Sequence, residues 1–387
     1  MLLKYFLFFV NLIIVYSFSS HTLHLQKKSF NYISYNKLYK NSLSNRLLLI
    51  SNKITLKSCI NEYDNHINKI NKFDNVKLHI INIIFQFSLF RIVLANLARL
   101  LIANNAKKYN YDWEYNVNKW QSRNNELQLI YNNITNKNIN YENYYNKQFH
   151  AYEDGNLNWK AAYEVDSATY ALTLRYWNEK VLSGKYNIIQ IQDLLRYNIL
   201  NEIDIYIVNI KNPEYICDLG CSTGISTEYI YKYYKSNIKS LIGIDLSPYF
   251  LSIANLRLID SINISKNITY IHDYAENTHN IIGLNSCDLI ISQFLFHELP
   301  THISRKILKS IYMSLTSGGV IAISDIDVTR MLKNTAPINV ALFQITEPYF
   351  IDYAKFDFKK ELELLNFTNI KIVETDPKNR LILAKKI

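Results

Sequence analysis

An acid, a glycine two residues later and a second glycine four further on stand in one short run, Asp218-Leu219-Gly220-Cys221-Ser222-Thr223-Gly224. Glycines at such positions let a backbone pass close to a ligand with no Cβ in the way. A cradle for a dinucleotide pyrophosphate spaces its glycines as G-x-G-x-x-G. Here Ser222 holds the middle position and Ile225 stands where the third glycine belongs. That suits a pyrophosphate badly, whereas Asp218 suits the cationic end of an amino acid. Asp245 ends Ile242-Gly243-Ile244-Asp245, 21 residues after Gly224. A carboxylate there can accept from both hydroxyls of a ribose. As a helix N-cap it has a better rival, because Ser247 directly precedes Pro248.

These residues need a sheet to hold them, and the pattern supplies one. Short β-rich runs at 215–219, 240–245, 268–272, 287–292 and 320–325 read as strands. Helical spacing fills 157–182, 189–209, 226–234, 248–260 and 304–315. Such alternation predicts an α/β, Rossmann-like, mostly parallel sheet with helices on both faces. The run at 358–365 reads as a helix, followed by strands at 370–375 and 381–385. The turn around Pro377 is too short for a crossover, so the last two strands pair antiparallel. Seven strands ending in an antiparallel hairpin are the expectation.

That layout resembles the class I methyltransferases that use S-adenosylmethionine, and the run from Asp218 to Gly224 resembles their first motif, with Ser222 replacing the usual middle glycine. The resemblance implies a cofactor site at Asp218, Gly220, Cys221, Ser222 and Gly224, then Asp245 and Leu246 at the ribose. In quinone-biosynthesis-like members an Asp-Ala-Glu run borders the adenine. This chain has His272-Asp273-Tyr274-Ala275-Glu276, so Ala275 by its backbone and Glu276 or Asp273 by side chain are the counterparts. Gln293, after the fourth strand, completes the set. The runs Phe149-His150-Ala151-Tyr152-Glu153-Asp154-Gly155-Asn156-Leu157-Asn158-Trp159, Phe296-His297-Glu298-Leu299-Pro300, Thr346-Glu347-Pro348-Tyr349-Phe350 and Thr375-Asp376-Pro377 resemble a subfamily of plant plastids and cyanobacteria. This likeness covers 146–387.

Methyl transfer is an in-line displacement, so alignment of donor and acceptor dominates, worth up to ~7–11 kcal/mol. A base adds ~10²–10⁴-fold where the acceptor carries a proton. His297 and Glu298 are the catalytic candidates, His297 as base or acceptor ligand, with a packing or helix-cap histidine as the alternative. Asp325, Glu347 and Tyr349 on one side and Tyr152, Asn156 and Trp159 on the other are the acceptor-pocket candidates, Trp159 equally readable as packing. Cys217 and Cys221 are spaced unlike a zinc pair, and no metal is expected. A small apolar or aromatic acceptor is the leading expectation. Protein or RNA methylation and a non-catalytic S-adenosylmethionine-binding protein are the alternatives, and the glycine spacing disfavours a dehydrogenase.

The chain has 387 residues with 31 Tyr, only 8 Gly, and a net charge of +10. Residues 1–61 hold eight basic side chains and no acid, while 146–387 hold 25 basic and 26 acidic. The basic excess is thus not on the catalytic part, so no nucleic-acid partner is expected. Residues 1–20 read as a signal-peptide-like segment and 21–61 as a transit-like one. Together they resemble the two-part leader of an apicoplast-type plastid protein; a secretory or endomembrane protein is the alternative. Residues 62–145 read as a helical, Asn/Tyr-rich extension. Its apolar helix at 78–103 carries Arg91 and Arg99, which makes a membrane span costly and peripheral membrane contact an option.

Overall fold

The computed structural model describes residue 100 and residues 103–387, apart from 105, 108, 148, 150–151, 153, 178–179, 182, 209–211, 262–266 and 335–346. The leader and nearly all of the 78–103 stretch lie outside the described residues. No helix among the described residues is long and apolar enough to cross a membrane.

Isoleucine-rich runs form seven strands: β1 (Tyr215–Leu219), β2 (Ser240–Asp245), β3 (Ile268–His272), β4 (Cys287–Gln293), β5 (Leu315–Ile326), β6 (Phe367–Glu374) and β7 (Asn379–Lys386). They make one sheet in the order β3-β2-β1-β4-β5-β7-β6. The first five run parallel, and β7 lies antiparallel between β5 and β6. The expected class I sheet with its antiparallel hairpin is therefore present. β5 begins at Leu315, several residues before the expected strand, with a register shift between Cys287 and Leu289 of β4.

Side chains alternate between two cores, as the pleat demands. Cys217, Leu219, Ile290, Ile321 and Ile323 point into one. Ile216, Leu289, Ile291, Val320 and Ala322 point into the other. Each buried branched side chain is worth roughly 1.5–3 kcal/mol of transfer free energy. The first face is covered by Ile303, Ile307 and Ile311 of α8 (Thr301–Ser314). The second is covered by α4 (Ile188–Ile207) and α5 (Ile225–Tyr234).

A third cluster joins the part before the sheet to it. It gathers Trp113, Val117 and Trp120 of α1 (Trp113–Gln121), Leu127 of α2 (Asn124–Ile134) and Ala161, Ala162 and Leu174 of α3 (Trp159–Tyr176). These pack on Phe250, Ile253 and Leu256 of α6 (Pro248–Asp260). As the Ser-Pro pair implied, Ser247 caps α6, its Oγ accepting from Phe250 N at 3.3 Å with Pro248 in the first turn. Short helices α7 (Thr278–Ile282), α9 (Val328–Asn334), α10 (Phe350–Lys355) and α11 (Phe358–Leu364) complete the chain order.

Candidate functional site

Parallel pairing assembles the site before any loop is considered. Leu219 of β1 pairs with Ile244 of β2 on one side and Ser292 of β4 on the other. Asp218, Asp245 and Gln293 therefore stand at three adjacent strand ends, on the edge where sheets of this kind hold ligands.

The loop after β1 spends its first donors inside the protein. Gly220 N and Cys221 N both donate to Ile244 O, at 2.8 and 3.2 Å, and Ser222 N donates to Asp245 Oδ2 at 2.8 Å. None of the three is left to cradle a phosphate, which agrees with the glycine spacing. Gly220 has φ +74°, and a Cβ on it would press on Leu295 at 3.2 Å. Ser222 holds φ +50°, a left-handed conformation that costs an L-residue roughly 1–2 kcal/mol. Its hydroxyl is buried without a partner. Gly224 and Gly243 have a different reason: side chains there would collide with the Tyr270 hydroxyl and ring. Cys221 is buried against the same spot.

Asp218 is fully buried. Its Oδ2 accepts from Ser226 and Thr227 hydroxyls at 2.6 Å each, which ties β1 to the start of α5. Its Oδ1 has no partner. Burial raises its carboxyl above the ordinary value, while the two hydroxyls and Arg196 pull the other way. Arg196 itself is buried, held by donation to Gln293 Oε1, with its Nε unpartnered. One helical turn earlier, Gln192 accepts from Thr173 Oγ1 at 2.7 Å and leaves Nε2 unpartnered. A buried unsatisfied donor or acceptor costs about 1–3 kcal/mol. Arg196 lies within electrostatic reach of Asp218, and Gln192 is one turn before it on the same buried arc; two donors and one acid are what the carboxylate and ammonium of an amino acid require. Sequence reasoning missed Arg196 and Gln192. The available signal was two polar residues on the buried arc of α4 that also holds Ile191, Leu195, Ile199 and Leu200.

Asp245 accepts from Ser222 N and Ser247 N, both at 2.8 Å. Each oxygen keeps capacity for a further donor. Burial raises its carboxyl to about 6 against those two backbone bonds, with Glu298 and Asp218 adding to the rise. Leu246 is buried, and its carbonyl meets His272 Nε2 at 3.1 Å.

At the expected adenine border, Asp273 Oδ1 accepts from Tyr274 N at 2.7 Å and Asn277 Nδ2 at 2.9 Å. These bonds fold the 3₁₀ turn Ala275–Asn277. Ala275 O accepts from Thr278 Oγ1 at 2.6 Å, and Glu276 Oε1 accepts from Tyr144 OH at 2.8 Å. Nothing in the sequence signalled that residues before the sheet would reach this border.

On the other half of the edge, His297 Nδ1 meets Asp325 Oδ1 at 2.8 Å and its backbone N donates to Asp325 Oδ2 at 3.2 Å. Burial disfavours charge on the ring, but Asp325, Glu298 and Glu347 outweigh it and raise His297 to about 10. The ring is thus paired with a carboxylate, and those carboxylates favour its protonated form. Glu298 Oε2 accepts from Asn156 Nδ2 at 3.2 Å, and Asn156 O accepts from Ser247 Oγ at 2.6 Å. Glu347 is buried within electrostatic reach of His297. Tyr349 lies over the same end, its ring 6.1 Å from Phe149. Tyr152 OH donates to Glu164 Oε2 at 2.7 Å. Trp159 is a packing residue here, with Tyr163, Tyr131 and Tyr249 5.1 to 5.7 Å from its ring. Among the described residues, no His, Cys, Asp and Glu side chains group to hold a metal ion.

Asp166 is another residue the sequence did not reveal. It accepts from Thr223 Oγ1 at 2.6 Å, Trp120 Nε1 at 3.3 Å and Arg257 at 2.5 Å. It thus couples α1, α3 and α6 to the loop after β1.

Residues 216–319 match a family model described as a methyltransferase domain. That match starts in β1 and ends in β5. The carboxy-S-adenosyl-L-methionine synthase of Alteromonas mediterranea is 23% identical over 110 residues, covering 28% of this chain and 43% of that protein. The chain thus aligns with less than half of the curated relative it matches. A Haemonchus contortus phosphoethanolamine N-methyltransferase 2, solved with S-adenosyl-L-methionine, is 14% identical, covers 48% of this chain and 52% of that one, and gives a TM-score of 0.37. The CurJ carbon methyltransferase is 18% identical over 57% of this chain and 67% of its own, with a TM-score of 0.39.

Proposed function

We propose that the chain is an S-adenosylmethionine-dependent methyltransferase acting on a small apolar or aromatic acceptor. One observation carries the reading. Asp218 Oδ1, Arg196 Nε and Gln192 Nε2 are buried without partners beside a strand end whose neighbour presents Asp245. An amino acid joined to a ribose is the ligand that satisfies both places. Asp218, Arg196 and Gln192 would hold its amino-acid end, and Asp245 its ribose, with the loop at Gly220 and Ser222 passing between. When bound, S-adenosylmethionine supplies a methyl group already activated on a sulfonium.

The chain's own residues then have three tasks. The loop after β1 and Asp245 fix the donor's position. Tyr349, Phe149 and Tyr152 give the acceptor an aromatic wall and exclude water. The His297 cation, held by Asp325, offers a hydrogen bond to an acceptor oxygen or nitrogen, and Glu298, oriented by Asn156, takes a proton where the acceptor carries one. The near-neutral charge of 146–387 supports a small molecule over RNA. A plastid destination, and membrane contact through 78–103, rest on composition alone.

Calorimetry on the full chain with S-adenosylmethionine, S-adenosylhomocysteine and NAD tests the donor. Binding of the first two without NAD is the expected result; NAD binding alone would end this reading. Methyl-labelled donor, incubated with organelle-enriched extract, tests the acceptor. Label should enter the organic-soluble fraction. Label confined to protein or RNA would replace the acceptor class and leave the donor site standing.

A further inference from the structure

The residues between α2 and α3 hydrogen-bond to His272, Tyr274 and Glu276, one of which, Glu276, the sequence set at the adenine border. Asn136 N donates to His272 Nδ1 at 2.9 Å, and Tyr141 OH meets His272 Nε2 at 3.2 Å. Tyr274 OH donates to Asn140 O at 2.6 Å and accepts from Glu142 N at 2.9 Å. Tyr144 OH donates to Glu276 Oε1 at 2.8 Å. Tyr349 OH, from beyond β5, donates to Tyr144 O at 3.2 Å. The segment thus runs from the end of β3 to the acceptor side of the edge. Tyr145 is stacked on Tyr141, with ring centres 5.9 Å apart, and lies within electrostatic reach of both Asp245 and Glu298.

We propose that residues 135–147 are a strap closing the nucleoside end of the donor site, with Tyr274 as its latch, so that the methyl donor enters and its demethylated product leaves only when the strap lifts. This rests on the donor reading above. Tyr274 stands where the resembling family carries an acid. Its hydroxyl serves both a backbone carbonyl and a backbone N–H of the strap, which an acid could not do, since an ionised carboxylate only accepts. The departure from pattern is therefore a substitution of latch for ligand. Glu276, the remaining acid of that run, is likewise engaged by the strap through Tyr144. Because Tyr349 bonds to the same segment, closing over the donor also sets one wall of the acceptor side.

The test uses the full chain and stopped-flow mixing with S-adenosylhomocysteine, read by intrinsic fluorescence. It is paired with hydrogen exchange of the unliganded protein. Tyr274→Phe keeps the ring and removes both latch bonds. The association and dissociation rates should each rise about tenfold, the scale of one or two lost hydrogen bonds, with a smaller change in their ratio. Exchange at the Glu142 amide should accelerate in the same variant without ligand. Tyr144→Phe, which frees Glu276, should move both rates in the same direction by less. Binding by the wild type with both rates unchanged in both variants would overturn the strap and leave the donor site intact. A faster dissociation alone would make Tyr274 an ordinary contact residue and also overturn it. A wild type that binds no S-adenosyl compound overturns the donor reading itself, and the strap's function with it.

Discussion

The two halves of the sheet's ligand edge are built in opposite ways. At the β1 and β2 ends the structure is backbone: Gly220, Cys221 and Ser222 donate to Ile244 O and Asp245, and side chains of Asp218, Arg196 and Gln192 keep atoms unpartnered. At the β4 and β5 ends the structure is side chain: His297 and Asp325 are closed on one another. The first half holds unsatisfied polarity for something to fill. The second pairs His297 with Asp325, sets Glu298 and Glu347 around that pair, and leaves the Ser292 and Ser324 hydroxyls of β4 and β5 unpartnered. A donor common to many reactions needs a site specified to the atom, whereas an acceptor pocket needs shape and one or two fixed charges.

Breaking the second half should cost most. Asp325→Asn leaves His297 buried without its counter-charge, and removing one partner of such a pair costs about 3–5 kcal/mol. Urea unfolding at neutral pH would read it; a loss below ~1 kcal/mol would mean the pair is not buried as described. The sign follows from His297 being raised. The pair's contribution is whole below the ordinary histidine value and fades as pH rises through about 10. The variant should lack that alkaline decline.

In the first half, Asp245→Ala should weaken S-adenosylmethionine binding by roughly 1.5–3 kcal/mol, the scale of hydrogen bonds to a charged group. Unchanged affinity by calorimetry would show the ribose lies elsewhere. A milder perturbation of the same carboxylate is pH. Asp245 titrates near 6 in the free protein, so wild-type affinity should fall as pH drops below that value. Asp245→Asn should flatten the dependence; an unaltered slope would assign the titration to another group. Smallest of all, Ser222→Gly relieves a left-handed serine and should add roughly 1 kcal/mol of stability. It also removes the unpartnered hydroxyl, so donor affinity should fall slightly. A variant that gains both stability and affinity would mean the hydroxyl does not face the donor.

The same contrast decides what the sequence disclosed. The β1 loop and Asp245 were legible because their geometry follows from local spacing and from the parallel pairing of Leu219 with Ile244. The strands themselves and the closing hairpin were legible for a similar reason, since each strand is a short Ile-rich run and the last turn is too short to cross over; the order of the strands in the sheet was not. The half proposed for the acceptor was legible only as separate candidates. His297 and Asp325 are 28 residues apart, and Asn156 and Glu298 are 142 apart, so no window contains both partners. The same distance hid the electrostatics of His297, because two of the three carboxylates acting on it, Asp325 and Glu347, lie far along the chain. Asp166 and the strap were invisible because their bonds span 46 to 205 residues. Trp159 was readable as pocket or packing, and only its three aromatic neighbours decide for packing.

The position of β7 has a consequence for how the molecule is made. It is the last strand in chain order and an interior one, flanked by β5 and β6. During synthesis at roughly 5–20 residues per second, β1 to β5 and β6 emerge before the strand that must separate them. Until residues 379–386 arrive, β5, buried along Val320–Asp325 in the finished sheet, offers a bare apolar edge, the kind that pairs with a neighbouring chain. A nascent chain halted in that interval is therefore the form most exposed to aggregation and most in need of a chaperone.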